Sequence, residues 1–240
     1  MARSEIRYGT PNFAMLSTWF GRAPEDDGPF WAVNLMKYRE VADYGDGVGA
    51  TKSGREADDE YVPRESLAAI GAMIAFAADV TQQAGAEPAW DRIGIVRYPS
   101  RVAFLEMQTR DDFKRQHVHK DAGMESTIVM SCLPDAKRPP VPAPGGTMVL
   151  RVARCAEGAD LPDVPGAVRL ATFGVEGVIV GDERTFTHVA FDMAPDAAVR
   201  DALLAADAGQ EERFAIAMAA PVVDDLEESI RTAPDGVVGR

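Results

Sequence analysis

The chain has 240 residues, 46% of them apolar, and a formal net charge of −13. That balance supplies a packed core and excludes global disorder. The acidic charge, with Arg and Lys scattered rather than clustered, excludes a nucleic-acid partner.

No apolar run reaches the roughly 20 residues a membrane helix needs, so no membrane partner is expected. Met1 to Tyr8 is polar and lacks the apolar core of a secretory signal. Cys132 and Cys155 fit no zinc spacing and read as buried small hydrophobes, which points to a cytoplasmic protein.

In chain order, Asn12 to Phe20 carries Phe13, Leu16 and Phe20 at helical spacing, and the turn-rich Pro24 to Pro29 ends it. Phe30 to Tyr38 has strand composition and length. A Gly- and Asp-rich loop, Asp43 to Gly54, follows. Its GDGVG stretch (Gly45 to Gly49) is acidic and lacks the flanks of a phosphate loop. Asp58 to Ile70 reads as a helix whose true start lies near Pro63. Met73 to Gln82 and Trp90 to Tyr98 are strands, and Ser100 to Lys120 is helical with a break near Arg110. Thr127 to Leu133 is a fourth strand. The order is β-α-β-β-α-β, the split-βαβ pattern of a ferredoxin-like module.

Four prolines and two glycines in Lys137 to Gly146 (KRPPVPAPGG) predict an extended linker. Beyond it the pattern recurs more loosely. Thr147 to Cys155 is a strand, and Glu157 to Pro165 is too short for a full helix. Val168 to Phe173 with Gly177 to Gly181 forms a bent strand or hairpin. Phe186 to Met193 is a strand, Asp196 to Asp207 a helix capped by Asp196, and Arg213 to Ala219 a final strand. Asp224 to Arg231 is a terminal helix. The expected organisation is a module at 1–136, a linker at 137–146 and a degenerate module at 147–240. A four-stranded sheet with helices on one face must cover the other. The expected fold is therefore α+β, two tandem ferredoxin-like βαββαβ modules packed sheet to sheet around a cavity.

WDRIGIVRYPSRVAFLEM (Trp90 to Met107) followed by VHKDAGMESTIVMSCLP (Val118 to Pro134) resembles the domain of unknown function numbered 1330. That family belongs to the dimeric α/β-barrel superfamily. Asn34, Lys37-Tyr38 and Tyr61 add to the likeness, which covers about residues 30 to 134. The chain departs from it at Lys120, where the family carries Arg after the histidine. The resemblance implies a pseudo-dimeric α/β barrel with a pocket. The wider superfamily includes cofactor-free monooxygenases, isomerases, lactone-forming enzymes and haem-binding enzymes, so fold alone does not select a chemistry.

Strand periodicity places Asn34 and Tyr38 on one face of their strand and Arg97 with Ile93 and Ile95 on one face of another. If Asn34 and Arg97 share the cavity side, they can bind an anionic or carbonyl-bearing molecule. Tyr38, Tyr61 and Trp90 are candidates for an aromatic wall. Three histidines are present. His119 is the preferred acid–base candidate because it occupies the family-like step, and His188 is a second candidate within its strand. His117 reads as a surface or capping residue. With His119 and Asp121 it forms no consistent metal geometry, so no metal is expected. Asp79 reads as the exposed end of its strand.

These residues point to a cofactor-independent acid–base enzyme acting on a small organic, carbonyl-bearing molecule. The alternatives are a non-catalytic binding or structural protein and, as a minor one, haem held by His119 or His188. A homodimer stays compatible with the sequence.

Overall fold

The structure is a computed structural model that describes residues 6–45, 51–61, 63–136, 140–141, 145–207 and 212–233. Most of the Gly45 to Gly49 loop and of the proline-rich linker lies outside the described residues.

A short strand β1 (Thr10–Pro11) and helix α1 (Phe13–Ser17) open the chain, followed by β2 (Phe30–Tyr38). The expected helix over 58–70 is two helices, α2 (Gly54–Glu60) and α3 (Arg64–Ala69). A Ser53–Glu56 capping box starts α2, and Pro63 is the N-cap of α3. Strands β3 (Met73–Gly85) and β4 (Arg92–Tyr98) lead to α4 (Arg101–Thr109) and α5 (Asp111–Gly123), which break at Arg110. Then come β5 (Met124–Pro134), β6 (Thr147–Ala153) and β7 (Val168–Gly181), the last a single bent strand with bulges. The chain continues through β8 (His188–Ala194), α6 (Ala197–Ala206), β9 (Arg213–Met218), β10 (Val223–Asp224) and α7 (Leu226–Arg231).

The protein is a mixed α+β chain built on a closed antiparallel barrel. Its strands run in the circular order β7-β5-β2-β4-β3-β9-β6-β8, and β8 pairs back onto β7. The first half contributes β5-β2-β4-β3 and the second β7-β8-β6-β9. The two sets join at their edges, β5 with β7 and β3 with β9. Closure leaves the barrel no open edge, the commonest liability of a sheet.

Strand β2 shows how this sequence meets both environments. Trp31, Val33 and Leu35 face the barrel interior, while Phe30, Ala32, Met36 and Tyr38 face the covering helices. With both faces covered, the strand needs an apolar run rather than strict alternation.

The barrel interior corrects the expected inter-sheet cavity. Trp31, Phe76, Phe173, Phe191 and Phe214 all point inward with no exposure. Ring pairs Phe76–Phe191 at 5.6 Å and Phe173–Phe191 at 6.3 Å interlock across the space. Each such side chain contributes about 1.5–3 kcal/mol by leaving water. Small side chains at these positions would have left room for a ligand; five aromatic rings fill it.

Helix α7 corks one barrel end. Trp31 Nε1 donates to Ser229 Oγ at 2.9 Å, and Arg97 Nη1 donates to the Ser229 carbonyl at 3.1 Å. Outside the second half, residues 154–167 form no helix, and Leu161 packs there on Ala153, Cys155 and Ala190. The fully buried Arg151 beneath them bonds to Asp207 at 2.6 Å and to the Pro162 carbonyl at 2.8 Å.

Candidate functional site

The described residues gather chemistry on the helix-covered outer face of the first half. Two glycines make this possible by letting α2 lie against α5. A Cβ on Gly54 would come within 2.3 Å of the Gly123 carbonyl oxygen, so a larger residue would push the helices apart. The close contact brings Tyr38, Asp58 and Tyr61 beside His117 and Lys120.

Tyr8 comes from the chain start, where it joins Met36, Tyr38 and Met124 in one apolar cluster. Its hydroxyl lies 3.0 Å from His117 Nε2. The His117 ring is packed by Phe113 at 5.2 Å and by Tyr61, edge to face, at 6.0 Å. His117 Nδ1 is buried and has no partner among the described residues. Burial, helped by the Lys120 charge, lowers this imidazole to about 4, so it is neutral near pH 7. Burial also keeps the Tyr8 phenol protonated far above its ordinary range. Whichever group donates between Tyr8 Oη and Nε2 sets the other nitrogen: Nδ1 carries the ring proton if the phenol donates, and a free lone pair if Nε2–H donates.

Lys120 Nζ lies between two rings, 5.8 Å from the Tyr8 centroid and 5.5 Å from that of Tyr61. Burial lowers its ammonium below the ordinary lysine range, and the Asp58 charge offsets this in part. Cation–π contact replaces only some of the lost hydration. Asp58 is itself committed: it accepts from the Tyr38 hydroxyl at 2.6 Å and lies 3.7 Å from Arg92. An open cleft of about 520 Å³ reaches His117 from solvent, with Ile6, Arg7, Tyr44, Gln108 and Asp121 among its walls.

The structure brings Tyr38 and Tyr61 into this cluster and keeps the other sequence candidates apart. Asn34 and Arg97 do not share a face: Arg97 pairs with inward Trp31, and Asn34 falls on the opposite side of β2. Asn34 Nδ2 donates to the carbonyls of Ala32 at 2.9 Å and Gly94 at 3.3 Å. Arg97 is engaged by α7 at the barrel end. Trp90 sits inside the barrel against Phe214, at 6.0 Å, far from any wall with Tyr61. His119, two residues from His117, points to a different neighbourhood, with Tyr44 Oη at 3.0 Å and Glu60 Oε2 at 3.4 Å. His188 lies on the outer face of the second half beside Thr187, at 2.8 Å, and Asp160, at 3.5 Å. Asp79 is half-exposed but held. Burial would raise its carboxyl, yet hydrogen bonds from Arg55 and Arg92 bring it below the ordinary value.

The sequence gives His117 a surface or capping role and marks Lys120 only as a departure from the family pattern, whereas the structure packs His117 against Tyr8, Tyr61 and Phe113. The i, i+3 spacing of His117 and Lys120 on α5 was a usable signal, since it places both on one helix face. Tyr8 had no such signal, because its partner is remote in sequence.

Among the described residues no cluster of three or more His, Cys, Asp or Glu could hold a metal. Haem needs a histidine opening onto an apolar cavity. His119 opens toward Tyr44 and Glu60, and His188 toward Thr187 and Asp160, so neither environment fits that group.

No family model matches the chain, so the likeness to the domain of unknown function numbered 1330 finds no counterpart there. No curated protein matches it either. Among solved structures, a protein of unknown function from Rhodopseudomonas palustris is 22% identical with a TM-score of 0.44, covering 52% of this chain and 94% of that one. A methylated form of it is 25% identical with a TM-score of 0.42, covering 50% and 86%. A mutant chlorite dismutase from Candidatus Nitrospira defluvii is 10% identical with a TM-score of 0.44, covering 90% of this chain and 97% of that one. Likenesses this distant carry no argument about chemistry.

Proposed function

We propose that the chain is a cofactor-independent enzyme that binds a small carbonyl-bearing organic molecule beside His117 and Lys120 and moves a proton on it. The observation that carries this reading is the buried His117 Nδ1, without a partner among the described residues, beside a Lys120 ammonium that lies against the Tyr8 and Tyr61 rings. A ligand carbonyl oxygen supplies an acceptor for the ammonium. In the tautomer whose Nε2–H donates to Tyr8 Oη, the free Nδ1 lone pair takes up the α-proton, and the ammonium suits the negative charge that develops on the carbonyl oxygen. Isomerisation or cyclisation through an enolate is the reaction type that uses both.

The fold reading belongs with this. The strand orders β5-β2-β4-β3 and β7-β8-β6-β9 support two tandem ferredoxin-like modules, the second lacking its first helix. A second functional reading, binding without catalysis, is favoured by the filled barrel, whose aromatic interior has a purely structural task.

The test is α-proton exchange in D2O, followed by NMR for a panel of small 1,3-dicarbonyl compounds. Accelerated exchange by the wild type, lost in His117→Gln and Lys120→Met, supports the enzyme. Saturable binding without exchange supports the second reading. Exchange that survives His117→Gln removes the imidazole from the mechanism.

A further inference from the structure

The outer face of the second half holds another pocket, independent of the one just described. It occupies about 410 Å³ where the end of β5, the middle of β7 and the start of β8 meet. Asp135, Asp160, Glu176 and His188 supply its polar wall, and Leu133 and Val175 its apolar wall. Its floor is bare: a Cβ added to Gly174, which pairs with His188, would meet no atom within 4 Å.

Acidic residues together do not make a site, since most such clusters are solvated surface. Thr172 supplies the independent observation. It lines the pocket with only 6% of its surface exposed, and its Oγ1 is buried without a partner among the described residues. Buried hydroxyls are nearly always hydrogen-bonded, so this one has room for a partner that the described residues do not supply. Glu176 tells the same story in part. Its Oε2 accepts from Ser131 Oγ at 2.7 Å and from Arg101, while Oε1 has no partner among the described residues.

We propose that this pocket binds a small organic ammonium, a primary amine on a short apolar stem. Ionised carboxylates accept hydrogen bonds and donate none, so the ligand they favour is a donor with positive charge. An ammonium presents three N–H groups, which suits convergent oxygens from Asp160, Glu176 and Thr172. The stem lies over Gly174 against Leu133 and Val175. A metal ion suits the site less, because the described residues hold no ligand cluster for one. An anion is repelled.

Isothermal titration calorimetry with n-butylamine hydrochloride at physiological ionic strength tests this, with sodium butyrate as the control. Butylammonium binds the wild type and butyrate does not. Asp160→Asn weakens binding by about tenfold, the usual effect of losing one charge-assisted hydrogen bond. Gly174→Val weakens it at least as much by filling the floor. Both variants keep the wild-type circular dichroism spectrum, because Asp160 is mostly exposed and the space over Gly174 is empty. His117→Gln binds butylammonium as the wild type does, which separates this pocket from the first. Absence of heat with butylammonium, or wild-type affinity in Asp160→Asn and Gly174→Val, overturns the proposal.

Discussion

The Tyr8 hydroxyl and His117 Nε2 sit 3.0 Å apart, although 109 residues separate them in the chain. The contact ties Tyr8 to α5 over a ring whose burial, helped by the Lys120 charge, keeps it neutral.

A pH dependence follows from that neutral form. In the unfolded chain the imidazole titrates near 6.5, and in the fold at about 4. Between those values the unfolded chain takes up a proton that the folded one refuses. Stability is therefore full above 6.5 and falls as the pH drops toward 4, by about 3 kcal/mol in all. Urea unfolding across this range should show the slope in the wild type and a flatter one in His117→Phe. An unchanged slope in the variant would place the titration elsewhere.

Lys120 should separate stability from activity. Its charge is held where burial disfavours it, so Lys120→Met should leave the unfolding free energy within about 1 kcal/mol of the wild type or raise it. The same variant should lose carbonyl-ligand binding in a thermal-shift assay. A loss of several kcal/mol would mean that the ammonium is structural.

The sequence revealed elements better than it revealed faces. Strand β2 was legible to the residue, because a nine-residue apolar run bounded by turns has few other readings. The Arg110 break and the Asp196 cap were legible for similar local reasons, and Asp196 does accept from Val199 N at 2.9 Å. Whether Asn34 and Arg97 met was not legible. That depends on the register of β2 against β4, which sets Trp31 rather than Asn34 opposite Arg97. The filled barrel was equally hidden, since inward Phe191 and Phe214 come from strands whose neighbours are fixed only by closure. His117 was undervalued because Tyr8 and Tyr61, which join Phe113 in packing its ring, have no local signature.

The α2–α5 contact admits no side chain. A Cβ on Gly54 would meet three backbone atoms, at 2.3, 2.5 and 2.7 Å, and backbone cannot rotate away as a side chain can. Gly54→Ala should cost at least about 3 kcal/mol, read from chemical denaturation. A cost below 1 kcal/mol would show that the helices separate freely.

The barrel interior should behave as one packed unit. Phe191→Ala removes a ring that touches both Phe76 and Phe173 and leaves a cavity the strands cannot close. The expected loss is about 3–5 kcal/mol. A variant that loses much less would indicate that the barrel collapses around the gap.

The place of β9 in the barrel sets a timetable for biosynthesis. This strand pairs with β6 of its own half and with β3, which was synthesised more than a hundred residues earlier. While a ribosome is still making the second half, β3 waits with one margin unpaired, and so does the growing end of β6. Closing a loop that long is slow, and the waiting strands are exposed to other nascent chains meanwhile. The native ring is complete only once Met218 has left the ribosome, so closure waits for the last barrel strand to be made.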